Sequence, residues 1–347
     1  MAIEILVGTV KGGFRLSERP GGAWTVEGPF FKGWRVTAFG ETGSGWLAAT
    51  ASPVYGAAVH RSDDLRTFRP VDRGPAWSGE SGHELRQVWT FARAGEVQFA
   101  GAEEAGLFRS DDGGATWSLV PGLTDHSSRE AWFPGFGGLC AHAVLATPDA
   151  RRLWVGISAV GVFRSDDGGA TWNPKNEGVP RIVQDPARED VGYCVHGLVA
   201  DPADPDRLFR QDHAGVVRST DGGDRWERIE DGLPSTFGFP IARSGGALYC
   251  VPLESDEARV PPGGTLRVLK SEDDGARWRP AGEGLPTENA WTGVLRAALA
   301  TDERAPDVVA LGTTSGSIHV STDAAESFAT VPGLFPRVLC VRIAVRD

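Results

Sequence analysis

Apolar residues in this chain come in short segments that alternate with polar ones and stop at clusters of Gly, Pro, Asp and Ser. A period of two predicts half-buried β-strands, and no segment sustains the 3.6-residue period of an amphipathic helix. The expected fold class is all-β. The pattern is clearest at Gly106–Trp117, Gly-Leu-Phe-Arg-Ser-Asp-Asp-Gly-Gly-Ala-Thr-Trp. Leu107-Phe108-Arg109 reads as a strand, Asp111-Asp112-Gly113-Gly114 as its turn, and Thr116-Trp117 as the start of the return strand, which together make a hairpin. Glycine reaches positive φ without steric cost, and the Ser110 hydroxyl and Asp112 carboxylate are suited to cap turn N–H groups. Trp117 adds a broad apolar face for a neighbouring layer.

The same hairpin returns at Gly161–Trp172 almost letter for letter, and at Gly215–Trp226 with Arg218, Ser219, Asp221, Gly222, Gly223 and Trp226 kept. Looser copies are Ser271–Trp278 and Ser321–Phe328, while Ser62–Phe68 is one residue short and Phe14–Trp24 is degenerate. The serines stand at 17, 62, 110, 165, 219, 271 and 321, so successive intervals are 45, 48, 55, 54, 52 and 50 residues. A fixed period in this range predicts a repeat architecture, and four strands per unit predict the blade of a propeller. Residues 1–347 are therefore expected to form a single seven-bladed β-propeller, with the hairpins between strands 3 and 4. The blades fall at 336–347 joined with 1–30, then at 33–74, 86–123, 138–180, 192–234, 237–286 and 291–334. The first unit lacks its strand 1, whereas Arg337–Val345 is one strand too many after the seventh. The C-terminal strand is expected to complete the N-terminal blade, closing the ring and removing its open edges.

These hairpins resemble the Asp-box, or BNR repeat, S-x-D-x-G-x-T-W, of sialidases, sortilin-type receptors, xyloglucanases and photosystem II assembly factors. Three sharp copies and four decayed ones spread the resemblance over essentially the whole chain. What it implies is architecture: in those families the box lies opposite the active site, so its residues are expected to have no catalytic role. The resemblance also implies two kinds of function, a glycoside-hydrolase-like pocket or a non-catalytic docking scaffold.

Composition narrows the partners. With 35 Lys and Arg against 46 Asp and Glu, the formal net charge is −11, and no basic cluster stands out. That argues against nucleic acid or an anionic membrane surface. No apolar stretch approaches the ~20 residues of a membrane helix, and the N-terminus enters a strand without the pattern of a signal peptide. The four cysteines lack disulfide-framework or zinc-finger spacing, so reduced thiols in a cytoplasmic protein are expected, with no cofactor.

In the expected ring, loops from strand 4 to strand 1 share an upper face with the strand 2–3 loops, and the Asp boxes occupy the other. The upper connections are long, at Asp72–Gln87, Pro121–Leu139, Pro174–Gly192 and Glu254–Gly264; long loops on a repetitive scaffold are where binding is usually placed. They and strand 1 gather imidazoles (His83, His126, His142, His196, His213), indoles (Trp34, Trp89, Trp132, Trp291) and guanidinium groups (Arg35, Arg86, Arg337). Aromatic platforms with charged groups suit a small polar ligand or a glycan, and a protein partner on this face is the alternative. Glu84, Glu130, Asp190 and Glu254 are the candidate acids if a glycoside is cleaved by two carboxylates. Glu80 and Asp185 lie on the same connections.

Sialidase chemistry, by the resemblance, would need a tyrosine nucleophile, and Tyr193 beside Asp190 is the plausible one, with Arg35, Arg86 and Arg337 for the substrate carboxylate. The family's Phe/Tyr-Arg-Ile-Pro signature is missing near the N-terminus, so true sialidase activity is not expected. Cys140 and His142, and likewise Cys194 and His196, occupy equivalent strand 1 places, and with His213 the second pair could make a soft metal site. Equivalent positions in a ring face the same rotational direction rather than each other, so core filling by small thiols is the expected role and no metal is assigned.

Overall fold

The computed structural model describes residues 2–19, 23–79, 81–183 and 190–346. Within them the alternating segments are strands, each paired antiparallel with its sequence neighbour in the same sheet. β1 (Ala2–Thr9), β2 (Gly12–Glu18) and β3 (Trp24–Phe30) open the chain. A four-stranded sheet follows, made of β4 (Arg35–Glu41), β5 (Trp46–Ser52), β6 (Gly56–Ser62) and β7 (Arg69–Pro70). The next holds β8 (Val88–Ala94), β9 (Val97–Ala102), β10 (Gly106–Ser110) and β11 (Ser118–Leu119). Then come β12 (Ala141–Ala146), β13 (Leu153–Ile157), β14 (Gly161–Ser165) and β15 (Asn173–Pro174). The same order recurs in β16 (Val195–Asp201), β17 (Asp204–Asp212), β18 (Gly215–Ser219) and β19 (Glu227–Arg228). It recurs again in β20 (Gly238–Ser244), β21 (Ala247–Pro252), β22 (Val268–Ser271) and β23 (Arg279–Ala281).

β24 (Val294–Thr301), β25 (Val309–Thr313), β26 (Ile318–Ser321) and β27 (Ala329–Thr330) complete this series. The C-terminal strand β28 (Val338–Arg346) returns to pair antiparallel with β1, from Ala2↔Arg346 to Thr9↔Val338. β28 meets β24 through a single parallel pair, Ala297↔Cys340, which joins these strands into one eight-stranded sheet. First strands stand beside one another in the order β28, β4, β8, β12, β16, β20, β24 and back to β28. They enclose a central channel.

The hairpin chemistry is local. Between β10 and β11, Ser110 Oγ donates to Asp112 Oδ1 at 2.7 Å and accepts the Gly114 N–H at 2.9 Å. Asp112 Oδ1 takes the Thr116 N–H at 2.9 Å, and Oδ2 takes its hydroxyl at 2.7 Å. The same frame holds around Asp167, whose carboxyl is drawn down to about 2 by the Thr171 hydroxyl and N–H and by Ser165. Even the decayed copy keeps it: Ala325 N–H bonds Ser321 Oγ at 2.9 Å although Ala324 and Ala325 stand at φ 57° and 68°. The degenerate first copy crosses residues 20–22, outside the described residues.

Packing between sheets explains the tryptophans. Trp226 N–H bonds Glu177 O of the preceding sheet at 2.9 Å, Trp278 N–H bonds Asp231 O at 2.8 Å, and Phe328 N–H bonds Glu283 O at 2.7 Å. A glycine follows each acceptor because nothing larger fits: a Cβ on Gly178 would lie 2.2 Å from Trp226 O, and one on Gly232 2.2 Å from Trp278 O. Trp226 is 2% exposed, and burying an indole of this kind is worth about 4–6 kcal/mol by area. The core therefore sits between adjacent sheets, as where Leu47, Ala49 and Val59 meet Val88, Ala100 and Phe108. At the lower end of the channel, Arg304 holds Glu41 with two hydrogen bonds, at 2.8 and 2.6 Å, and ties the last sheet to the second.

Candidate functional site

Because each strand reverses the one before it, the connections into the first strands and those between second and third strands share one end, the upper face. Ladder registers break near the start of the first strands. In β4 the extra residue is Thr37, in β8 Trp89, in β12 His142 and in β16 His196, each lying between two paired neighbours. Irregularities in β20 and β24 take in Phe239 and Arg296. A bulge re-aims the extra side chain and bends its strand. It turns several of these residues inward, and Trp89, His142, His196, Arg296 and Arg342 line a channel of about 260 Å³. Burial pushes the His142 imidazole down to about 3 and that of His196 also well down, so both are neutral at pH 7. Arg296 lies over the Phe239 ring at 4.7 Å.

A second recess, of about 380 Å³, opens on the upper face between β5 and β9, lined by Arg35, Ser52, Val54, Glu84, Arg86 and Glu103. Beside it Trp34 stacks on Tyr55, with ring centroids 5.5 Å apart and planes 8° from parallel. His83 and Arg86 approach the two oxygens of Glu104 at 3.9 Å. Burial raises the Glu103 carboxyl; Arg86 opposes the rise and Glu104 adds to it. The cleft thus pairs an aromatic platform with two guanidinium groups and two carboxylates.

Comparison with known proteins places this geometry. Residues 108–119 match the BNR/Asp-box repeat family. The chain is 24% identical over 245 residues to a probable oligoxyloglucan-reducing end-specific xyloglucanase of Neosartorya fischeri, covering 63% of this chain and 28% of that protein. Among solved structures, the GH74 enzyme of Niastella koreensis superposes with a TM-score of 0.60 at 16% identity, over 93% of this chain and 46% of that one. YCF48 bound to D1 peptide superposes with a TM-score of 0.57 at 17% identity, over 88% of this chain and 85% of that one. This chain is a β-propeller carrying BNR/Asp-box repeats. It spans less than a third of the xyloglucanase and about half of the GH74 chain.

The propeller brings some sequence candidates together and separates others. Arg35, Glu84 and Arg86 share the cleft, with His83 reaching its neighbour Glu104. Trp89, His142 and His196 share the channel. His126 and Trp132 instead pack on Phe163, with ring centroids 5.1 Å away in each case, and both bond Ser128 Oγ, so they hold their own loop together. Tyr193 is half-buried in the core between the fourth and fifth sheets, where burial raises its phenol, the wrong direction for a nucleophile. Glu130, Asp190, Glu254 and Arg337 are exposed and line neither recess. Trp291, also exposed, stands against Gly264. Glu80 and Asp185 lie outside the described residues.

Sequence reading missed Glu103, Tyr55 and Arg296. Glu103 follows β9 on a short connection and would have been found by treating short upper loops like long ones. Cys194, His196 and His213 converge, their ligand atoms all within 4.8 Å of one another; they belong to one sheet, whereas the expected rotational arrangement separates equivalent positions of different sheets. Cys194 and His196 stand two residues apart at the start of β16, and the β17–β18 turn brings His213 back to them, its N–H bonding Cys194 O.

Proposed function

We propose that this is a seven-bladed propeller that binds a polar, sugar-like ligand in the upper cleft of Arg35, Glu84, Arg86 and Glu103. The eight-stranded sheet divides at Ala297↔Cys340 into a last blade and a first blade completed by the C-terminal strand. The observation that carries the binding reading is the convergence of Arg35, Glu84 and Arg86 with Glu103 beside the Trp34–Tyr55 platform. Stacked rings present an apolar face to a sugar ring, while guanidinium and carboxylate groups hydrogen-bond its hydroxyls. The weak likeness to a xyloglucanase supports a glucan fragment as the first ligand class to try. Hydrolysis there would use Glu103, the carboxyl raised by burial, as acid and Glu84 as its partner.

The test is a thermal-shift screen against xyloglucan and cello-oligosaccharides, with Arg86→Ala and Trp34→Ala alongside. A ligand at about 100 times its Kd adds about 2.7 kcal/mol of stability. A shift that both variants lose is expected, whereas a shift equal in all three proteins, or none with any sugar, would sink the cleft.

One further observation favours docking of a protein partner on the same face. Among the described residues, the exposed large apolar side chains Val54, Tyr55, Phe136, Ile182, Trp291 and Leu334 all lie on upper connections, and only Val26 lies elsewhere. Phe136 is 97% exposed and Leu334 99%. Such residues mark contact surfaces when they gather on one face, and the superposition on a peptide-bound YCF48 is in keeping with this. Capture of a specific partner that Phe136→Ser and Trp291→Ser abolish, with no sugar shift, would make this the function.

A further inference from the structure

Cys194, just before β16, His196 at its bulge and His213 in the β17–β18 turn form a compact donor set. Cys194 Sγ lies 3.5 Å from His196 Nε2. A tetrahedral zinc with Zn–S of about 2.3 Å and Zn–N of about 2.0–2.1 Å holds its sulfur and nitrogen ligands about 3.5–3.6 Å apart, so the pair already has the spacing of two ligands to one ion. His196 Nδ1 is 2.7 Å from Gly238 O. That bond places the proton on Nδ1 and leaves the Nε2 lone pair facing the thiol, the outer-shell arrangement typical of ligating histidines. His213 N–H bonds Cys194 O at 2.9 Å, which ties the turn to the strand. His213 Nε2 also lies 3.6 Å from Asp256 Oδ2, on the β21–β22 connection.

The surroundings fit an ion. Phe237 and Phe239 wall the two imidazoles, with ring centroids 5.3 and 4.9 Å from His196, and give a dry shell. Cys194 and His196 are buried while His213 is partly open, which leaves a path from the upper face. One thiolate and the Asp256 carboxylate together balance a divalent charge, so Arg296 of the same channel faces no net excess. The preceding sheet supplies an internal contrast. There Cys140 and His142 repeat the pair, but Cys140 Sγ donates to Gly137 O at 3.2 Å. The place of His213 is taken by Ser158, whose N–H bonds Cys140 O at 3.0 Å. Only the later sheet has the third ligand.

The geometry points to a site for a borderline-soft divalent cation, zinc by its ligands, held by Cys194, His196 and His213 with a fourth position open to water or to Asp256. The test is cobalt titration of the reduced, chelator-treated full chain. One Co²⁺ per chain is expected, with a thiolate-to-cobalt charge-transfer band and the visible bands of a four-coordinate centre. Zn²⁺, which favours tetrahedral sites of sulfur and nitrogen ligands, should displace it. Cys194→Ser and His213→Ala should lose the charge-transfer band, while Cys140→Ser keeps it. His213 is partly exposed, so its variant should melt near the wild type and separates loss of a ligand from loss of fold. Asp256→Asn should weaken binding about 10–100-fold. Arg86→Ala, which tests the cleft, should leave cobalt binding unchanged. No charge-transfer band at saturating cobalt, or one that persists in both Cys194→Ser and His213→Ala, would overturn the site.

Discussion

Replacing Asp212 with Asn should cost more stability than any surface change in this propeller. Arg210 and Asp212 form an ion pair in which both side chains are 0% exposed. Arg210 Nη1 also donates to Asn176 Oδ1 at 2.9 Å, and Asp212 Oδ1 accepts the Ala214 N–H at 3.0 Å. Asparagine keeps that acceptor and the side-chain volume but removes the charge, leaving a buried guanidinium without its counter-ion. Breaking a buried pair in this way costs about 3–5 kcal/mol. With an unfolding entropy of about 2.1 cal/mol/K per residue over 347 residues, roughly 0.7 kcal/mol/K, the melting point should fall by about 4–7 °C. Calorimetry gives the fall, and urea midpoints at pH 7 give the free energy. The double variant Arg210→Met with Asp212→Leu should recover most of the loss, since an apolar pair of similar volume needs no counter-ion. A single variant costing under about 1 kcal/mol, or a double variant worse than the single one, would refute the reasoning.

Two further outcomes follow from the packing and the buried imidazoles. Gly232→Ala puts a Cβ 2.2 Å from Trp278 O at φ 91°, whereas Gly56→Ala meets nothing within 4 Å at φ 77°; the second should cost about 1–2 kcal/mol of left-handed strain and the first roughly 2 kcal/mol more from overpacking, and equal urea midpoints would show that the contact is slack. His319 is buried, and burial lowers its imidazole to about 4 against about 6.5 in the unfolded chain. Between those values only the unfolded chain binds the proton, so this contribution is full above pH 6.5 and is lost as pH falls towards 4. His319→Phe, the residue found two places before Ser110 and Ser165, should therefore lose less stability than the wild type between pH 7 and pH 5. An identical loss in both would mean that His319 does not titrate on unfolding.

The sequence alone determined the hairpins, the strands and the closing role of the C-terminus. Each of these rests on contacts over a few residues or on a simple period. Ser110, Asp112, Gly114 and Thr116 bond across at most four positions, so their chemistry can be read directly from their order. The alternation in Val338–Arg346 marked a strand without a sheet of its own, and β1 was the strand that lacked a partner. Arg35, Glu84 and Arg86 were identifiable as upper-face groups because each stands on or at the end of a connection from a fourth strand to a first strand.

Tertiary structure decided which of those groups meet. Glu103 joins Arg86 only because β9 ends beside the connection leading into β8, and Trp132 turns away from solvent because Phe163 offers a ring to pack on. The bulges had the largest effect. In β16 the extra residue is His196, and it lies within reach of Cys194 and the β17–β18 turn. A bulge is set by the register of two strands rather than by the letters of either one. The distances that make a site therefore emerge only when the sheet is assembled.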